Sequence, residues 1–127
     1  MAIRTELNLR VPNSPGTLAG LCRLLADERV NISALAVESN GHLRLVVDNH
    51  VRAASVLRGR HYQVTERQVI FVPLANGPGA LAPVLALAAQ AGVNVEYAYA
   101  SAADGNPSAA IVLGVEDAER ASAAAGL

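Results

Sequence analysis

A chain of 127 residues, 52% of them hydrophobic, suits one ordinary domain or two very small ones and has ample core material, which excludes a disordered tail protein. Ten basic residues, all arginine, against eleven acidic ones give a net charge of -1, and the aromatics are only Phe71, Tyr62, Tyr97 and Tyr99. Neither the positive field nor the stacking platforms of a nucleic-acid or anionic-membrane binder are present, and the single Cys22 makes no internal disulfide or thiolate cluster, which points to a reducing compartment.

The first six residues acquire charge at once and resemble neither a signal nor a transit peptide. Residues 3–11 alternate, with Thr5, Leu7, Leu9 and Val11 on one side and Arg4, Glu6, Asn8 and Arg10 on the other, which predicts a strand with one wet face. Ser14 as N-cap and Pro15 in the first turn then open a helix whose Leu18, Leu21, Cys22 and Leu25 make one buried stripe. Residues 32–38 and 43–48 read as strands joined through Asn40-Gly41, a hairpin signal. A second helix over 50–58 turns Ala53, Val56 and Leu57 inward, and 61–66 reads as a fourth strand. Next, Val69-Ile70-Phe71-Val72 is apolar on both faces, as in a strand covered on both sides.

From there the pattern restarts. Residues 13–37 align with 76–100 at an offset of 63, so that Asn13, Pro15, Gly16, Leu18, Leu24, Val30 and Asn31 recur as Asn76, Pro78, Gly79, Leu81, Leu87, Val93 and Asn94. Leu45-Val46-Val47 returns as Ile111-Val112-Leu113 after three further residues within Asp104-Gly105-Asn106-Pro107-Ser108, an insertion that a hairpin tip tolerates. The longest apolar stretch, 80–89, is about half the roughly twenty residues of a membrane span and contains Pro83, so a soluble, cytoplasmic protein is expected. The second copy stops after its second helix.

The expectation is therefore α+β: two ferredoxin-like βαββαβ units with antiparallel sheet, 1–67 and 68–127, the second lacking its last strand. A tight turn at Glu66-Arg67 would set strands 61–66 and 69–74 antiparallel in one seven-stranded sheet. The truncated copy and the doubly apolar strand would leave surface for a homodimer.

No Ser/His/Asp set, phosphate loop, paired acids or zinc motif is present, so an enzyme is not expected, and neither is a cofactor. His42, His50 and His61 are scattered without ligand spacing, and Cys22 aligns with Leu85 as a core residue. In each copy a strand delivers Asn-x-Pro-Gly to a helix start. Helix N–H groups attract a carboxylate, the glycine admits it to the backbone, and asparagine amides both donate and accept, a combination suited to a free amino acid. The plainer alternatives are that Asn31 or Asn94 ends a helix in left-handed geometry and that Asn13 is a turn residue.

These motifs, V-P-N-S-P-G-T-L with V-N-I and A-N-G-P-G-A-L with V-N-V, resemble the ACT domain family, amino-acid-sensing regulatory modules found on phosphoglycerate dehydrogenase and in acetolactate synthase small subunits. The resemblance covers essentially the whole chain as two tandem copies. It implies that the asparagine before Pro-Gly and the one ahead of the second strand hold an effector at a domain–domain interface. The candidate contacts are Asn13, Ser14, Gly16, Thr17 and Leu18 with Asn31 and Ile32, and Asn76, Gly77, Gly79, Ala80 and Leu81 with Asn94, Val95 and Glu96. Val11 and Leu74 stand where that group commonly has a histidine, which speaks against serine as effector. The function expected is a small stand-alone amino-acid sensor. The alternative is a non-catalytic subunit that docks on a metabolic enzyme and binds no ligand.

Overall fold

The computed structural model describes residues 2–127, which form two compact units: residues 5–67, and residues 68–127 together with residues 2–4. The elements in chain order are β1 (Ala2–Arg10), α1 (Thr17–Asp27), β2 (Ile32–Val37), β3 (His42–Val47), α2 (His50–Gly59), β4 (Thr65–Ala75), α3 (Leu81–Gln90), β5 (Tyr97–Ser101), β6 (Ser108–Gly114) and α4 (Ala118–Ala125).

In the unit of residues 5–67 the strand order is β2-β3-β1-β4, with antiparallel pairing that sets Leu7 opposite Leu45 and Leu9 opposite Leu43. These leucines close on Leu21 and Leu25 of α1 and Ala53 and Leu57 of α2, with Leu18 and Val56 partly buried against them, as helical spacing predicts, but Cys22 is only half-buried and is not part of this core. The other face of β1 is wet only in part: Arg10 is exposed and Arg4 and Asn8 half-buried, but Glu6 and its cross-strand neighbour Val46 are fully buried, since alternation separates the two faces of a strand without saying whether the second is covered. The β2–β3 hairpin forms, but Asn40-Gly41 is not a two-residue turn. Gly41 N–H donates to Glu38 O at 2.9 Å and Gly41 sits at φ 85°, a three-residue loop ending in a left-handed glycine. Gly41 O in turn accepts from Val11 N–H, so close that a Cβ at residue 41 would overlap the Val11 carbonyl.

The unit built on residues 68–127 repeats the plan as far as α4. Ile70 and Val72 of β4 pack with Val84 of α3, Ile111 and Leu113 of β6, and Ala118 and Ala121 of α4. Its strand order, β1-β4-β6-β5, shows what replaces the missing last strand: residues 2–4 of β1 run beside β4 in that place. Ile3 packs against this core, and the Arg4 guanidinium lies 4.9 Å from the centre of the Phe71 ring. Tyr97 lies over Gly114, its register partner, where any side chain would collide with the ring.

Two expectations are corrected. The chain does not turn at Glu66-Arg67: β4 runs unbroken from Thr65 to Ala75, residues 61–64 are not strand, and the described strands number six, not seven. Neither residue offers the positive φ that a two-residue hairpin needs, so extended backbone continues. The apolar strand 69–72 is also not left bare, since Val69, Ile70 and Val72 are buried within the chain.

Candidate functional site

β1 ends at Arg10, and Pro12-Asn13-Ser14-Pro15-Gly16 carries the chain to α1. Ser14 is not the N-cap. Its carbonyl accepts from Thr17 N–H at 3.3 Å and its hydroxyl meets the Thr17 hydroxyl at 2.8 Å. The helix opens two residues later than expected, behind Gly16 at φ 85°, and no side chain caps its first turn. Pro15 accounts for the delay, because its fixed φ serves a turn as well as a helix start. Gly79 repeats this geometry at φ 78°, and around both glycines the space where a Cβ would stand is empty, so the turn backbone is open to approach.

In the first unit the turn forms one wall of a cleft of about 290 Å³, with Asn13, Ser14 and Leu18 on one side and Val37, Glu38, Ser39 and Gly41 of the hairpin on the other. Arg44 bonds Glu38 at 2.5 Å and holds its carboxyl below the usual carboxylate range. Thr17 meets only the rim through Ser14, and Ile32 packs on the core instead.

The second asparagine of each pair lies at the far end of its unit. β2 separates Asn13 from Asn31, about 20 Å for six extended residues. Asn31 is fastened through its backbone, its N–H donating to an Asp48 carboxylate oxygen at 3.0 Å and its carbonyl accepting from Asp48 N–H. Neither Asn31 nor Asn94 ends a helix. That position belongs to Arg29 at φ 59° and Gly92 at φ 71°, each followed by a valine whose N–H returns to the carbonyl five residues back, Leu25 or Ala88. The recurrence of Val30 and Val93 thus has a capping origin, and both asparagines keep exposed side chains.

The second unit differs at its turn. Asn76 Nδ2 donates to Ala103 O at 2.9 Å and Asn106 O at 2.7 Å, latching the turn to the loop between β5 and β6. Gly77 O accepts from Ala80 N–H at 3.2 Å, and Leu81 is left 42% exposed. At the opposite end Asn94 and Glu96 line a cleft of about 500 Å³ with Glu116, Asp117 and Arg120, while Val95 turns inward to the core. Sequence spacing did not reveal the last three as neighbours of Asn94, because they come from the link into α4 and its first turn. Among the described residues no cluster of three or more His, Cys, Asp or Glu side chains is placed to hold a metal ion.

A family model described as an ACT domain pair matches residues 1–124. The chain belongs to the ACT domain family. The ACT pair found here is similar to the crystal structure of a protein from Bacteroides thetaiotaomicron, at 30% identity and a TM-score of 0.84 over 96% of this chain and 85% of that one. It shares its fold with the ligand-free regulatory subunit of aspartate kinase from Thermus thermophilus, at 18% identity and a TM-score of 0.69 over 98% and 90% of the two chains. It likewise shares the fold of Escherichia coli aspartokinase III in complex with lysine and aspartate, at 18% identity and a TM-score of 0.58, covering 94% of this chain and 29% of that one. No curated protein matches it. An ACT domain pair is typical of amino-acid-sensing regulatory modules. No helix among the described residues is long and apolar enough to cross a membrane.

Proposed function

We propose that this ACT pair is a stand-alone cytoplasmic sensor that binds a free L-amino acid and passes the signal to a metabolic enzyme, its domains being residues 1–67 and 68–127. The single observation that carries the reading is the first unit's cleft. There Leu18, from the first turn of a helix whose start no side chain caps, lines the same cleft as Asn13, Ser14 and, across the gap, Glu38, while Gly16 and Thr17 stand outside the lining. Helix-start N–H groups suit the ligand carboxylate, the Asn13 amide suits either charged end, and Glu38 is an acceptor for the ammonium. Asn31, with its backbone fastened and its side chain exposed, stays the second candidate contact that the family resemblance implies.

The second unit favours a docking role. Its Asn76 amide is engaged by the β5–β6 loop, and α3, which carries no charged residue, leaves Leu81, Leu85 and Leu87 about 40% exposed. That surface supports association into a homodimer or with an enzyme. Thermal-shift screening against the twenty amino acids tests the sensor reading. A rise in melting temperature with one or a few of them is expected, and Asn13→Ala should reduce it. No shift with any of the twenty would leave the docking role alone.

A further inference from the structure

Pro12, which lines the turn cleft, also lines a second, larger depression of about 570 Å³, built wholly from the unit of residues 5–67. Three separate stretches line it: the end of β1, the first residue of β3, and the connection from α2 to β4. Its polar lining is one-sided. Arg10, His42 and His61 supply cationic or N–H-bearing groups, Asn8 and Gln63 supply amides, and among the described residues no carboxylate lines it. The cleft around Asn94 is the opposite, with Glu96, Glu116 and Asp117 against one arginine. We infer that the cleft of Arg10, His42 and His61 is a binding site for a compact oxyanion, a carboxylate- or phosphate-bearing small molecule, separate from the amino-acid site.

Support beneath the cleft is built in. Glu6, fully buried, accepts through Oε1 from Asn8 Nδ2 at 2.9 Å. A carboxyl oxygen facing the amide fixes its orientation, so Asn8 Oδ1 faces His42, and Nε2 of that ring, 2.9 Å away, must donate. The ring is thereby held with Nδ1 as its remaining polar atom, which donates to an anion only in the imidazolium form. Arg10 donates one N–H to Asn40 O at 3.2 Å and joins none of the ion pairs found among the described residues, although the Glu38 carboxylate, itself paired with Arg44, still feels the charge of Arg10 and His42. His61 holds the left-handed position that closes α2, at φ 70°, where glycine is the less strained occupant. Tyr62 and Leu9 complete the wall and favour a ligand with a short carbon body over a bare ion.

Inorganic phosphate and succinate, titrated separately at constant ionic strength into the full chain, test the site through the histidine ring signals in NMR spectra. His50, outside the cleft, is the internal control. Saturable shifts of His42 and His61 with His50 unmoved are expected for at least one of the two, and the tighter one identifies phosphate or carboxylate as the recognised group. Arg10→Gln should weaken that binding about tenfold. His61→Gly should weaken it while raising the melting temperature, a pairing that a merely structural role would not give. Absence of saturation up to about 50 mM, far above a dissociation constant of about 1 mM, or equal movement of all three histidines, overturns the inference. Unchanged affinity in Arg10→Gln also overturns it. Amino-acid binding measured by thermal shift stands or falls separately.

Discussion

Asn13 and Asn76 occupy the same place in the repeat and have different jobs. Asn13 lines a cleft, whereas Asn76 spends both its amide hydrogens on Ala103 and Asn106 carbonyls. Asn76→Ala should therefore cost about 1–2 kcal/mol and loosen the β5–β6 loop, while Asn13→Ala leaves the melting temperature near wild type. Paired thermal melts check this. At Gly41 both the positive φ and the nearness of the Val11 carbonyl exclude a side chain, and Gly41→Ala should destabilise by at least about 2 kcal/mol in denaturant titration. Glu38 gives the fold a small acid sensitivity. Its folded pKa is lowered by Arg44, so its contribution is present above the ordinary carboxylate range and is lost as pH falls through the folded value. The fall in melting temperature below about pH 4.3 should be shallower in Glu38→Gln.

At the scale of elements, the strand that the second unit lacks is replaced by residues 2–4 beside β4. A chain beginning at Thr5 loses Ile3 from the second core and the Arg4–Phe71 contact. Amide exchange in residues 68–72 should then quicken at least tenfold relative to that in β3. Unchanged exchange would show that β4 needs no neighbour there. The helices were legible because Pro-Gly punctuation and apolar spacing act over a single turn, and the repeat gave each reading twice. The continuity of β4 was not legible. Two strand-like runs joined by Glu66-Arg67 look the same whether the chain turns or continues, and only the pairing partners of the joined strand decide.

For the molecule as a whole, the site was legible in part. The Asn-x-Pro-Gly turn marked the first cleft, but its other wall comes from the hairpin at Glu38 to Gly41, and the cleft of Arg10, His42 and His61 draws on stretches that spacing cannot bring together. The apolar surface available to a homodimer is the exposed leucines of α3, whereas Val69, Ile70 and Val72 are buried within the chain. Light scattering should give a dimer mass for the wild type and a monomer mass for Leu85→Glu. The central claim, that this ACT pair binds a free amino acid at the first unit's Pro-Gly turn, is tested most directly by isothermal titration of the amino acid selected by thermal shift into wild type and Asn13→Ala. Saturable binding in the wild type, weakened by about tenfold or more in Asn13→Ala, is the predicted result. Equal affinity in the two proteins would contradict it.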